Sequence, residues 1–512
     1  MKVLFFGTHP KQFNGYSKVV YELMKVLNLR KDIEFGVYGF QKFYDNAQHR
    51  KDVPSNMFVY DAFANESPKE SGFGVKQVKD FVMSYKPDIC VVYNDMLVIH
   101  QVVTQIKAAQ NDGLQTKICA YIDQVYLNQK KEFIDFVNKN CDFALMFTEF
   151  WEKNIIEQGI TLPSDFLPHG FNKMTHFPIP KQFTRQYYGL NQDDFIILNL
   201  NRNQPRKRWD ICIKAFAEIV SRYPKEPIKL MIATAVQGAW NLLEIFEREL
   251  KKRNLSLEDG MKHLIMIENP QQLTDDETNV LYNVADIGIN TCDGEGFGLC
   301  QFEEAAIGIP QVVPRLGGFI EFFDDSCAML AEPKIAYYVD NTRDAVCGEA
   351  LLCDYTDYVE GIETYYLSKE VRLKHGQKCR DNILKNYTWE KVADKFVGIM
   401  TRIHALGNVP PQPPPTQLDK EIAHLNEEVE KIDIEALGKM KNIRQEEKFE
   451  QSDQGLLADL SVPTSIPTTP DTSELAQQIA SKKKKLKKKK LQEELYELKQ
   501  KLDTLTKGLI EK

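Results

Sequence analysis

Short apolar runs alternate with stretches of helical periodicity along most of the chain. KVLFFG is strand-like, and after a polar loop SKVVYELMKVL repeats its apolar positions at helical spacing. IEFGVYGF, DICVVYND, KICAYID and FALMFTEF are further short runs rich in β-branched and aromatic residues, separated by helical patterns such as VKQVKDFVMSY and VIHQVVTQIKAA. Strand alternating with helix predicts a parallel sheet covered on both faces.

The pattern restarts after LPHGFN. FIILNLN opens a second series that continues through WDICIKAFAEIV, IKLMIAT, HLIMIEN, ETNVLYNVADIGIN, FEEAAIGIPQVVP and CAMLAE. The fold class expected is therefore α/β, with two Rossmann-like, doubly wound domains facing a cleft and a seam near residues 170–190. The first should span residues 1–175 and the second 176–385, with a closing helix over 386–406 that returns to the first. Ligands of such sheets bind beyond the carboxyl ends of the strands, so the cleft is where chemistry is expected.

Composition changes beyond that helix. VPPQPPPT makes 407–416 a stiff spacer. Leu418, Ile422, Leu425, Val429, Ile432 and Ala436 mark a heptad seam within 417–448, and Leu491, Leu495, Leu498, Leu502, Leu505 and Leu509 mark another within 476–512. Between them, 449–475 reads as disordered linker, and KKKKLKKKK (Lys482–Lys490) is low-complexity. The leucine seams favour coiled-coil pairing, and so a homo-oligomer, over docking of the lysine run on an acidic membrane.

A net charge of −8 gives no global reason to expect a nucleic-acid partner. The ten cysteines are scattered without a C-x-x-C pair, and Cys90, Cys119, Cys141 and Cys300 lie in or beside apolar runs. Reduced, mostly buried thiols in a cytosol-like compartment follow. The opening MKVLFFGTHPKQ has an apolar run too short for a signal peptide, and no run reaches the ~18 residues of a spanning helix. A cytoplasmic protein, at most peripheral to a membrane, is expected.

Candidate chemistry concentrates in GEGFGLCQFE, Gly294–Glu303, where two carboxylates eight positions apart stand among three glycines just after a buried strand. Glycines let backbone approach a ligand, and the helix start that follows favours phosphate or a polar sugar. Glu295 is expected in the loop at the cleft floor and Glu303 about two turns into the helix. The two acids suit different hydroxyl-bearing portions of one extended ligand, a sugar and a ribose. A diphosphate between two such rings needs cations, and NLNRNQPRKRWD supplies Arg202, Arg206, Lys207 and Arg208 after the first strand of the second domain. Arg206 and Arg208 are also compatible with solvated surface charge, and Trp209 reads as core. His9 and His169 read either as turn formers or as functional loop histidines.

These motifs resemble the GT-B glycosyltransferases of the glycosyltransferase-4 type (retaining, group 1). Glu295 to Glu303 match that family's E-G-F-G-L-x-x-x-E signature, and Arg202 with Lys207 match its Arg-x4-Lys on the donor diphosphate. LYNVADIGINT, GIPQVVPRLGGFIE, LPHGFN and YTWEKVADKF resemble its neighbouring segments, and the likeness covers roughly residues 1–405. The resemblance implies a metal-independent hexosyltransferase that moves a sugar from a nucleotide-diphosphate donor with retention of configuration. A UDP- or GDP-sugar is expected as substrate, with no cofactor, and the acceptor could be a sugar, a lipid or a protein.

By carry-over, Glu303 would hold the ribose hydroxyls and Glu295 the donor sugar, while Arg202 and Lys207 neutralise the diphosphate. The backbone of Gly296, Phe297, Gly298 and Leu299 would help. In the first domain, NGYSK resembles the family's Gly-rich loop, which makes Asn14 and Gly15 donor-side candidates; an ordinary turn is the competing reading. Where the family often carries a His, this chain has Ile122 and Asp123. Asp123 either takes that catalytic role or caps a helix. The alternatives to transfer are a GT-B scaffold or lectin-like protein without turnover, and a GT-B epimerase or phosphorylase.

Overall fold

The computed structural model describes residues 1–406, apart from 13, 44–49, 51, 268–269 and 271–272. The spacer, both heptad segments and the lysine run lie outside the described residues. The described chain falls within one compact unit, Met1–Asn408.

The first sheet has seven strands: β1 (Lys2–Thr8), β2 (Glu34–Phe40), β3 (Val59–Asp61), β4 (Ile89–Asn94), β5 (Lys117–Ile122), β6 (Phe143–Met146) and β7 (Ser164–Phe166). Their spatial order is β3-β2-β1-β4-β5-β6-β7, and every pairing is parallel. The second sheet contains β8 (Phe195–Asn199), β9 (Ile228–Ala233), β10 (Leu264–Ile267), β11 (Ile287–Ile289), β12 (Gln311–Pro314) and β13 (Met329–Ala331). They run β10-β9-β8-β11-β12-β13, again all parallel. Helices cover both faces, which is why β4 and β8 are continuous apolar runs, buried at every position.

In each sheet the strand order reverses once, between β1 and β4 and between β8 and β11. Loops leaving adjacent strands there turn to opposite faces and open a crevice. The two cation- and glycine-bearing segments singled out in the sequence follow β8 and β11, and so border that crevice in the second sheet.

A hairpin stands apart from both sheets. Its strands β14 (Pro333–Val339) and β15 (Gly348–Cys353) pair antiparallel. No periodicity in the sequence distinguished this segment. The chain then forms helices and ends its described part in Trp389–Ala405, whose Phe396 packs against Phe5 and Phe35 of the first sheet at ring distances of 6.3 and 5.9 Å. This last helix therefore closes the core of the first domain from the far end of the chain. Where the chain crosses between domains, Phe171 N–H donates to Tyr387 O at 2.7 Å.

All ten cysteines are free, and eight are buried. Among the described residues no helix is long and apolar enough to cross a membrane.

Phe396 is fully buried. Phe396→Ala removes a ring that joins the closing helix to the first sheet, and the expected cost is about 3–5 kcal/mol. A chemical-denaturation midpoint unchanged from wild type would show that the helix is not part of that core.

Candidate functional site

The loop after β8 turns through Pro205–Lys207 and points Lys207 inward, with Arg206 beside it. The loop after β11 carries Glu295 against them: Lys207 donates to one carboxylate oxygen and Arg206 to the other at 3.3 Å. Arg206 also donates to Gly294 O at 3.1 Å, which pins the loop backbone. Glu295 is 6% exposed and Lys207 9%. Burial alone would push the Glu295 carboxyl up, but Lys207 and Arg206 outweigh it and hold it down at about 2. A set of buried amides supports this floor from below. Asn290 donates to Gln301 at 2.9 Å and to Asn201 at 3.2 Å, tying the end of β11 to the helix that follows and to the β8 loop.

That helix, Leu299–Ala306, starts from Gly298, whose φ is +90°. A β-carbon there would also lie 2.4 Å from the Phe319 ring, so both backbone conformation and space call for glycine. Glu303 is the fifth helical residue, just over one turn in rather than the two turns expected, because the loop keeps Phe297 and Gly298 out of the helix. Its carboxylate is nonetheless buried. Lys18 of the first domain donates to its two oxygens at 2.8 and 3.0 Å, and Tyr282 donates at 2.9 Å. Burial raises the Glu303 carboxyl, and Lys18 more than reverses that. Lys18 also lies 3.5 Å from Asp275.

The first domain meets the glycine loop directly. Asp123, immediately after β5, accepts a hydrogen bond from Tyr16 O–H at its Oδ2. Its Oδ1 lies so close to Gly296 that a β-carbon there would come within 2.1 Å of it. Trp151 Nε1 donates to Gly296 O at 2.9 Å, and the His169 ring sits 4.4 Å from that of Phe297. Asn14 caps the helix Gly15–Leu27 by accepting from Ser17 N–H at 2.8 Å. Gly15 faces Leu299, with a β-carbon there 3.1 Å from Leu299 Cδ1. The starts of two helices, one from each domain, therefore face each other across the cleft.

The hairpin reaches this site from behind. Asp293, whose side chain is fully buried, accepts two 2.6 Å bonds from Arg343 and one from Tyr337 O–H, with Arg208 at 3.5 Å. The same hairpin exchanges backbone bonds between Glu349 and Leu127 of the first domain, at 2.7 and 3.1 Å. It straps the loop beside Gly294 to the loop that follows Asp123.

Of the residues expected at the site, Glu295, Lys207, Glu303, Gly296, Phe297, Gly298, Leu299, Asn14, Gly15 and Asp123 line one continuous region. Arg202 is exposed, and its guanidinium makes no hydrogen bond or ion pair among the described residues. Two readings change. Arg206 and Arg208 are not solvated charges but partners of Glu295 and Asp293. Asp123 caps no helix, since the next one, Lys131–Asn140, begins eight residues later. His9 is buried and opens a turn, its carbonyl accepting from Gln12 N–H at 2.8 Å and its Nδ1 from Lys11 N–H at 3.2 Å, whereas His169 is buried against the Phe297 ring. Lys18, Tyr16, Trp151, Asp293 and Arg343 were not anticipated. Lys18 lies inside the NGYSK stretch, but nothing in one sequence tells which face of its helix meets the cleft.

The charge of Glu295 should be visible in stability. Its carboxyl lies far below the ordinary 4.5, so its contribution is full above that value and is lost as the pH falls toward 2. Glu295→Gln leaves Lys207 buried opposite a neutral amide, and a loss of about 3–5 kcal/mol is expected near neutrality. That deficit should shrink between pH 4.5 and 2. A deficit constant over this window would show that Glu295 is not held as a buried carboxylate.

Residues 180–342 match the family described as Glycosyl transferases group 1. A D-inositol 3-phosphate glycosyltransferase of Catenulispora acidiphila is 30% identical over 142 residues, covering 28% of this chain and 32% of the relative. One from Saccharomonospora viridis is 25% identical over 222 residues, 43% of this chain and 46% of that one. The chain thus spans about a third to a half of the length of the curated relatives it matches. Among solved structures, a sucrose-phosphate synthase from Thermosynechococcus elongatus superposes with a TM-score of 0.59 at 14% identity, covering 80% of this chain and 100% of that one. Anabaena Alr3699/HepE, solved with UDP and glucose, gives 0.58 at 14% identity over 78% of this chain and 100% of its own. The second domain, over residues 180–342, is thus similar to the group 1 glycosyl transferases, and the two parallel sheets with the glycine loop between them have the fold of the solved structures on which the chain superposes.

Proposed function

We propose that the chain transfers a hexosyl group from a nucleotide-diphosphate donor to a hydroxyl acceptor, with retention of configuration and without a metal. The observation that carries this reading is the pair of buried carboxylates, Glu295 and Glu303, on either side of a glycine loop at a helix start, each already paired with a cation. Glu303 takes the ribose hydroxyls, and Glu295 orients the donor sugar. Arg202, exposed and without an ion-pair partner, and Lys207 take the diphosphate.

As the bond from the anomeric carbon to the diphosphate breaks, negative charge grows on the leaving group. Cations already fixed in place stabilise that growth more than they stabilise the ground state. Lys207 is held by Glu295 before the donor arrives, so little reorganisation is required. The amides of Phe297, Gly298 and Leu299, at the helix start, favour the same anion. The UDP and glucose in the HepE structure favour a UDP-sugar over a GDP-sugar. The acceptor is a sugar, lipid or protein hydroxyl.

Incubation with UDP- and GDP-sugars, following nucleotide release and the anomeric configuration of the product, tests the reading. Release is expected with at least one donor and unchanged by a chelator. Lys207→Ala should lower kcat by about 10²–10³-fold, and Glu303→Gln should raise KM for the donor. Absence of release with every donor, or a Lys207→Ala variant as active as wild type, would overturn it.

A further inference from the structure

Tyr16 is the second residue of the helix Gly15–Leu27 and makes a hydrogen bond that serves no obvious folding purpose. Its ring is already held 5.1 Å from the ring of Tyr93, and its hydroxyl continues past that contact to Asp123 Oδ2. The other oxygen of the same carboxyl, Oδ1, is buried and has no hydrogen-bond partner among the described residues. It rests on Gly296, between Glu295 and the helix start, in a space that any β-carbon would fill. A buried carboxyl oxygen left unbonded is costly, and one aimed at a glycine loop is an acceptor without its donor.

We propose that Tyr16 is a positioning residue of the transfer reaction: by holding Asp123 Oδ2 it presents Oδ1 toward the glycine loop as the base for the acceptor hydroxyl. This rests on the glycosyl-transfer reading above. In the step, the acceptor O–H bond breaks and its proton passes to Asp123, while the acceptor oxygen bonds to the anomeric carbon on the face from which the diphosphate departs, so that configuration is retained. The bond from that carbon to the diphosphate breaks, and its electron pair leaves with the diphosphate. Asp123 then returns the proton to water.

The surroundings of Asp123 suit the task. Facing it are Tyr16 from the first helix, Asp95 after β4, Arg206 after β8 and Glu295 in the glycine loop. Burial is the dominant influence and lifts the carboxyl to about 6; Tyr16 and Arg206 pull down, and Glu295 and Asp95 push up. A carboxyl so placed is ionised at neutral pH yet basic enough to accept a proton. Tyr16 favours the ionised form because its hydroxyl donates to it.

Two measurements on the full chain test this. Carbon-13 NMR of labelled aspartate carboxyls, with the Asp123 signal identified by its loss in Asp123→Asn, should show titration near 6 in wild type. In Tyr16→Phe, which keeps the ring packed on Tyr93, the midpoint should rise by about one unit, the effect of losing one charge-assisted hydrogen bond. The pH profile of transfer should show an acidic limb with the same two midpoints, absent in Asp123→Asn. An unmoved Asp123 titration in Tyr16→Phe overturns the proposal whether or not a donor has been found. A moved titration with an unmoved limb overturns it too, by placing Asp123 outside the reaction. Failure of the transfer reading itself would appear separately, as no nucleotide release from any donor by wild type.

Discussion

A carboxylate can be buried only if something charged or hydrogen-bonding is buried with it. At three positions between Asp293 and Glu303 a carboxylate is nearly removed from water beside the same crevice, and each time the partners come from distant segments. Glu295 is held by Lys207 and Arg206 from the loop after β8. Glu303 is held by Lys18 from the other domain and by Tyr282. Asp293 is held by Arg343 and Tyr337 from the hairpin, with Arg208 nearby. Three segments remote in sequence are thus fixed against one eleven-residue stretch, Asp293–Glu303, and the geometry of the cleft follows from charge neutralisation as much as from apolar packing.

The same arrangement explains how the two domains share one site. The second sheet supplies the crevice and its cations, while the first supplies Lys18, Tyr16, Asp123 and Trp151 to its rim. Gly296 lets Asp123 come close, and Gly298 makes the turn into the helix. Either residue replaced by one with a side chain would push the domains apart or bend the helix start away. The hairpin adds a brace from behind, bonded at one end to Asp293 and at the other to Leu127. The groups of the candidate site and the contacts between domains are in large part the same residues.

Much of this was legible in the sequence because it depends on local patterns. Strands buried on both faces read as unbroken apolar runs, so both series of strands could be found from KVLFFG and FIILNLN onward. The acid pair and the cation cluster stood out because glycines and charges rarely crowd together without a ligand to meet. What could not be read was pairing across the fold. Lys18 and Glu303 are 285 positions apart, and no periodicity reveals that they touch. Arg206 and Arg208 could not be told from surface charge because solvation and burial leave the same letters. The hairpin was missed because PKIAYYV and GEALLC mix polar and apolar residues, and Val339 and Ala350 bury in a small cluster with Tyr126. Glu303 was placed too deep in its helix since the loop takes more residues than a helical count allows.

The central claim is that these paired charges exist to receive an activated sugar. The most direct measurement is a crystal structure of the chain with a bound UDP-sugar. The account predicts the diphosphate between Arg202 and Lys207, the ribose hydroxyls on Glu303 and the sugar beside Glu295. A donor seated elsewhere, with Lys207 and Lys18 still occupied only by Glu295 and Glu303, would contradict it.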